Sequence, residues 1–422
     1  MGLEKKFDMY IKDLCKKVKN KDVHDSIKLE ISDHLHTLKE EAMLAGLSEE
    51  EAIDRALAYM GDVEVLGKQL NEIHKAQIDL KTAIPVIAVS FLGLLVMYYL
   101  QFHSVFTKIQ GVEIFNKSLV FYLLGTVFML SLFTLNYRKL IKYSPHLYIG
   151  TVIILALTVL FGVRVDGVPF LTLGFININF TEITPFLLVI SFSGIFKAWN
   201  WRNSRKFWLG ISIILLPIVL LLTTGALSTI IISIIICVAI MHASKASLKQ
   251  VIGFATVASI WPCLQLLLHS HNYTLVNPFV TKQLYAAGFM GSGLGLNQEL
   301  ISEVHTDFIF AYIIYSFGWF AAIVVCALVG FFIARIISTA KKMNSSYEKI
   351  LFTGLAATFT TQFILSVLTN LGLSPLPGVA LPFISFGGSH IILEMIAVGL
   401  ILSICRRRQL DHNLHLDTEI NP

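Results

Sequence analysis

Charge is what this chain has least of. Asp, Glu, Lys and Arg make up 14% of its 422 residues while 55% are hydrophobic, against roughly a quarter charged in soluble domains. So thin a polar surface excludes a single-domain soluble enzyme and makes a bilayer the partner of most of the chain. Neither sign dominates. The 33 bases and 28 acids leave a formal charge of +5, and their segregation along the chain excludes a nucleic-acid footprint. The five cysteines, Cys15, Cys237, Cys263, Cys326 and Cys405, lie far apart without CxxC or Cys/His spacing, which argues against structural disulfides and zinc. No cleavable signal peptide is expected, because the first apolar run begins only at Ala83 and no basic start, short apolar core and cleavage site precede it. No internal repeat marks an inverted-repeat transporter.

What charge there is gathers at the front. Residues 1–82 hold 17 acids and 13 bases, a net of −4. Phe7, Tyr10, Ile11, Leu14, Cys15 and Val18, then Ile27, Ile31, Leu35 and Leu38, recur at three- and four-residue steps and predict amphipathic helices. Ser48 with Glu51 forms a capping box before Ile53, Leu57 and Met60, after which Gly61 and Asp62 stop one helix and cap the next.

Beyond this segment, apolar runs of about 20 residues, the length that crosses ~30 Å of hydrocarbon as helix, recur with short polar breaks. Ten are predicted, near 83–102, 118–136, 146–163, 184–199, 207–222, 225–242, 249–269, 307–336, 350–371 and 384–405. Sixteen bases fall in one alternating set of connections, including Arg138, Arg202, Lys245, Lys341 and Arg406, and four in the other, Lys108, Lys117, Arg164 and Lys282. By the positive-inside rule both termini are cytoplasmic. The expected architecture is an all-α polytopic protein of the cytoplasmic membrane: a helical prefix domain over 1–80, a ten-helix membrane domain over 81–408 and a cytoplasmic tail over 409–422.

Acids and histidines at membrane depth are costly and mark function; here they are Glu182, Glu303, His305, Asp307, His390 and Glu394. Glu303, His305 and Asp307 cluster where the largest outer loop, about 270–306, returns into the eighth run. A carboxylate partly desolvated there suits a general base; from spacing alone, Asp307 or Thr306 capping the helix is the simpler account. Gly288, Gly291, Gly293 and Gly295 in GFMGSGLG could approach a phosphate, or simply permit a tight turn or close packing. LSPLPGVALPFISFGGS, 373–389, interrupts an apolar stretch with three prolines and three glycines, so its backbone must be buried in protein or line a cavity. His390 and Glu394 stand one helical turn apart and form a structural pair. The basic triplet at Arg406 anchors the inner face, with some attraction for anionic membrane lipid.

VHTDFIF at 304–310, GFMGSGLG at 288–295 and GLSPLPGVALPFISFGGS at 372–389 resemble the SEDS family (shape, elongation, division and sporulation), which includes the RodA and FtsW types. The resemblance implies polymerisation of glycan strands from lipid II outside the cytoplasmic membrane, beside a class B penicillin-binding protein, with Asp307 as the catalytic residue in place of a cap. It further implies substrate contacts from Glu303, His305, Thr306, Gly291, Gly293, Glu182, Gln362, Pro382, Ser385, Gly387, Gly388 and Ser389, and leaves a divalent cation open. The chain departs from the family's pattern at Tyr315 and Ser316, where acids are usual, at Pro169 and Phe170, at Pro185 in the place of a lysine, at Thr224 to Ala226 and at Ser366. These departures mark a divergent member and keep open a weakened scaffold of wall synthesis or a transporter of lipid-linked precursors. The first 80 residues resemble a prefix domain of some Bacillus-type permeases and membrane regulators.

Overall fold

The structure, a computed structural model, describes residues 4–19, 24–73, 79–103, 113–165, 167–173, 176–268, 284, 287–291, 305–343, 345–374, 376 and 378–420. Glu303, Gly293, Gly295, Lys108 and Lys282 lie outside the described residues. The chain divides into two compact units, one of Met1–Asp79 with Ile404–Pro422, the other Leu80–Ser403.

In the first unit α1 (Glu4–Lys17), α2 (His24–Leu44), α3 (Glu49–Met60) and α4 (Val63–Ile73) enclose a small core. Phe7, Ile11, Leu14, Cys15 and Val18 of the first segment meet Ile27, Ile31 and Leu35 of α2 and Ile53 and Ala56 of α3, with Tyr10, Leu38, Leu57 and Met60 packed at the edge. The three- and four-residue periodicity thus becomes one buried face. The capping box forms: the Ser48 side chain accepts from the Glu51 amide and the Glu51 carboxylate accepts from the Ser48 amide at 3.0 Å. Gly61, at φ 83°, ends α3, and Asp62 accepts the Glu64 amide at 2.7 Å at the start of α4.

Among its described residues the second unit holds ten apolar helices: α5 (Leu80–His103), α6 (Ile114–Thr134), α7 (Arg138–Phe161), α8 (Phe180–Phe196), α9 (Ser204–Leu222), α10 (Leu227–Ala243), α11 (Leu248–Leu268), α12 (Ile309–Lys341), α13 (Ser346–Asn370) and α14 (Gly388–Ile420), whose residues as far as Ser403 belong to this unit. Eight are long and apolar enough to cross a membrane; α8 and α10, at 17 residues each, are shorter. Those two are apolar on every side and buried among the others, as such helices must be. Leu123, Val127, Ile153, Ile252 and Ile260 on α6, α7 and α11 remain exposed, an apolar surface suited to hydrocarbon. The central helix is α13, packed on α8, α10 and α12. Close approach comes from small residues: a β-carbon at Gly354 of α13 would stand 2.7 Å from Val189 of α8. Buried hydroxyls on these helices satisfy themselves against the preceding turn, as Thr184 does on Phe180 O and Thr358 on Gly354 O.

One element is outside the all-α expectation. Between α7 and α8 runs an antiparallel meander of β1 (Val163–Val165), β2 (Val168–Leu173) and β3 (Ile176–Ile178), with Val165 paired to Val168 across a two-residue turn. Gly167 sits there at φ 84°, and Asp-Gly between alternating valines is a strong hairpin signal.

Candidate functional site

Asp307 lies in a turn, 305–308, that leads into α12. The N-cap position falls to Phe308, which makes no side-chain cap, so neither Thr306 nor Asp307 is the cap residue that the spacing allowed. The work of a cap is done from another helix. Asn370, fully buried at the end of α13, accepts the Ala311 amide at 2.8 Å and donates to Asp307 O and Ser366 O, each at 2.8 Å.

The second grip comes from the interrupted segment before α14. Gly378 lies so close that a β-carbon there would stand 2.3 Å from Asp307 Oδ2; only glycine lets this backbone lie on the carboxyl group. Eight residues on, the Phe386 amide donates to His305 O at 2.8 Å, and the Phe386 and His305 rings stand 5.5 Å apart. Asp307 is thereby fixed by a helix end on one side and a loop on the other. Asp307 as a residue is half-buried.

The loop is itself pinned. Ser385 Oγ accepts the Leu381 amide at 2.7 Å. Phe383, a non-glycine residue at φ 61°, donates its amide to Glu394 Oε2 at 2.9 Å and accepts at its carbonyl from the Tyr122 hydroxyl. Pro382 and Ser385 are buried, while Gly387, Gly388 and Ser389 are half-buried. Gly388 is packed on the Phe121 ring, where a β-carbon would come within 2.4 Å. These residues hold the loop's shape.

Beside Gly378 a cavity of about 30 Å³ is lined by Glu182, Ser228, Thr229, Gln362, Gly378 and His390, with Pro185 among the apolar walls. Glu182, in the first turn of α8, takes a 2.8 Å hydrogen bond from Asn179. It is close enough to Asp307 and to Glu394 for their charges to interact. Gln362 meets His390 Nε2 at 3.2 Å, and His390 Nδ1 stands 3.3 Å from Glu394 Oε1. A string of polar groups therefore runs from the cavity into α14. Its described lining contains no lysine or arginine, in keeping with Pro185 standing where the family resemblance leads one to look for a lysine.

Of the expected site residues, the structure brings Asp307, His305, Glu182 and Gln362 together with the 378–389 loop. Gly291 is placed elsewhere. At φ 85° it is packed on the backbone of Ser316 and Gly318, where α12 is broken, so it serves close packing. Gly378, Asn370 and Tyr122 were not singled out by sequence reasoning. Each acts through contacts to residues 63 to 261 positions away or through backbone proximity, and no local spacing shows that.

A bundle of apolar helices with one acid-bearing turn clamped between a helix end and a broken, buried loop defines a multi-pass membrane protein with a polar site at the mouth of its core. Residues 80–410 match the FtsW/RodA/SpoVE family of cell cycle proteins, and the chain belongs to that family. A probable peptidoglycan glycosyltransferase FtsW of Trichlorobacter lovleyi is 24% identical over 362 residues, 78% of this chain and 93% of that protein. One from Escherichia coli O6:H1 is 27% identical over 289 residues, 62% and 70% of the two chains. Another, of Thiomicrospira cyclica, is 34% identical over 125 residues, and the chain there spans about a third of that relative (28% of this chain, 32% of that protein). Among solved structures, a chain of a peptidoglycan synthase complex superposes with a TM-score of 0.65 at 19% identity, covering 79% of this chain and 98% of that one. Rod shape determining protein RodA of Thermus thermophilus gives 0.63 at 18% identity, with the same coverage. These likenesses show a shared fold.

Proposed function

We propose that the chain is a peptidoglycan glycosyltransferase that joins lipid II units at the outer face of the cytoplasmic membrane, with Asp307 as general base. The observation that carries this is the fixing of the half-buried Asp307 turn by Asn370, Gly378 and Phe386, beside Glu182 and a polar cavity. Such a group has a defined position without being fully buried, which is what a base needs. In the step, the Asp307 carboxylate takes the proton of the acceptor sugar hydroxyl as its oxygen bonds to the donor's anomeric carbon. The bond from that carbon to the lipid diphosphate breaks, and the diphosphate leaves with the electron pair. No covalent nucleophile on the protein is needed.

The names of the FtsW relatives and the synthase-complex neighbour support this reading and a class B penicillin-binding protein as partner. The charge bias of the connections supports cytoplasmic termini, the 1–80 segment as a cytoplasmic prefix domain, and Asp307 on the outer side. Glu182 and Asp307 offer hard oxygen donors to a divalent cation. Among the described residues no group of three or more His, Cys, Asp or Glu side chains assembles.

The test is polymerisation of lipid II by purified protein with its partner. Asp307→Asn should cost at least about 100-fold in rate without loss of folding. A second reading, a scaffold that recruits wall enzymes, is favoured by the cavity's lack of basic lining. Rescue of a deletion phenotype by Asp307→Asn would establish the scaffold and remove the base.

A further inference from the structure

Phe383 is one of two non-glycine residues at positive φ among the described residues, the other being Lys245. A bulky residue keeps that conformation only where its surroundings over-determine it. Here four helices do so. Glu394 of α14 accepts the Phe383 amide at 2.9 Å, Tyr122 of α6 donates to its carbonyl, and its ring is stacked on Phe359 of α13 at 5.4 Å and edge-on to Phe332 of α12 at 5.3 Å. Gly93 of α5 leaves room for the carbonyl, since a β-carbon there would stand 2.8 Å from it.

Two of the loop's contacts lie on the Asp307 turn. Gly378 presses on the Asp307 side chain and Phe386 holds His305 O, with Phe383 between them in the chain. Glu394 is fully buried, and a carboxyl group in such a place is too costly to be kept without a directed task. We infer that Glu394 is a positioning residue for Asp307: as hydrogen-bond acceptor to Phe383 it fixes the left-handed turn of the loop that grips the Asp307 segment. This rests on the reading of Asp307 as the base.

What Glu394 supplies on this account is an oxygen in the right place. An amide supplies that as well. In Glu394→Gln the new carbonyl oxygen accepts from Phe383, and the new NH2 faces His390 Nδ1, which now lies 3.3 Å from Glu394 Oε1. The string toward the cavity tolerates the reversal, because Gln362 Oε1 has no hydrogen-bond partner among the described residues and accepts a hydrogen bond from His390 Nε2–H once the Gln362 amide turns over. Glu394→Leu removes the acceptor and leaves the Phe383 amide buried without one.

The experiment uses the full chain with its partner, reading lipid II polymerisation and amide hydrogen exchange over 378–388. Glu394→Gln should keep kcat within about threefold of wild type, while Glu394→Leu should lose on the order of 100-fold in kcat with KM for lipid II little changed, as misplacing a base by about 1 Å does. Exchange in the loop should accelerate in the leucine variant and stay at the wild-type rate in the glutamine variant. The inference is overturned if glutamine is as damaging as leucine, which would make the carboxyl's proton the functional feature, or if leucine leaves loop exchange unchanged. Should wild type not polymerise lipid II at all, it is the base that fails, and the exchange data alone decide whether Glu394 holds the loop.

Discussion

A β-carbon on Gly378 would stand 2.2 Å from Asp307 Cβ and 2.5 Å from its Cγ, so the loop's backbone and the acid side chain leave no room for a side chain at position 378. Gly378→Ala must displace one or the other. The expected outcome is a fall in lipid II polymerisation of about 100-fold, the scale of a 1 Å misplacement. Gly253→Ala, on α11 with nothing within 4 Å of its added carbon, is the control, and equal effects of the two would remove the Asp307 contact from the account.

Asn370 ties Asp307 O to Ser366 O and caps Ala311 with one buried side chain. Asn370→Leu removes these three hydrogen bonds from a buried position, at about 0.5–1.5 kcal/mol for each. Denaturant unfolding should show a lower midpoint, and the residual folded protein should be slower in polymerisation. Asn370→Asp keeps the acceptor for the Ala311 amide and loses both donors, so it should fall between wild type and the leucine variant. A leucine variant as stable as wild type would show that water replaces the clamp.

In the amino-terminal unit the Ser48 hydroxyl and amide hold the Glu51 carboxyl below its usual range. A carboxyl with a lowered folded value adds stability above its unfolded value and loses it as pH falls through the folded value. The gap in α3 hydrogen-exchange protection between wild type and Glu51→Gln should therefore be full at neutral pH and close in acid. Ser48→Ala should cost about 1 kcal/mol at neutral pH, the ordinary worth of such a cap. A gap that widens in acid would contradict the hydrogen-bonding assignment.

The parts of this molecule that repeat locally are the parts the sequence displays. Phe7, Ile11 and Leu14 announce their helix because successive turns face one core, and the apolar runs fall on α5 to α14, eight of them long and apolar enough to cross a membrane, where a backbone must satisfy itself internally. Asp307 was legible through the resemblance of its surrounding motif, and the 373–389 segment through prolines and glycines where a crossing helix excludes them. The clamp around them was not. Asn370 is 63 residues from Asp307 in the chain and Tyr122 is 261 from Phe383, and such meetings are decided by how ten helices pack. The meander had a visible signal in Asp166-Gly167 between valines, outweighed by the apolar runs on either side.

The break in α12 offers a separate test. Gly318 has φ 84° and ψ 174° inside Ile309–Lys341, and the Trp319 and Phe320 amides, freed from helical partners, donate to Gly288 O and Phe289 O at 3.4 and 3.2 Å. A β-carbon at Gly318 would stand 2.1 Å from Phe289 O and 2.5 Å from Gly291 N. Gly318→Ala meets both the clash and the strain, about 1–3 kcal/mol, of a backbone region that essentially only glycine adopts, so the helix should straighten and release 288–291. Gly330→Ala, in the same helix with open space around its added carbon, gains helix propensity of up to about 1 kcal/mol. The first should lower the melting temperature in detergent and speed amide exchange at 288–291, and the second should do neither. If both behave alike, the docking of the glycine run on the helix break has no part in holding this end of the molecule together.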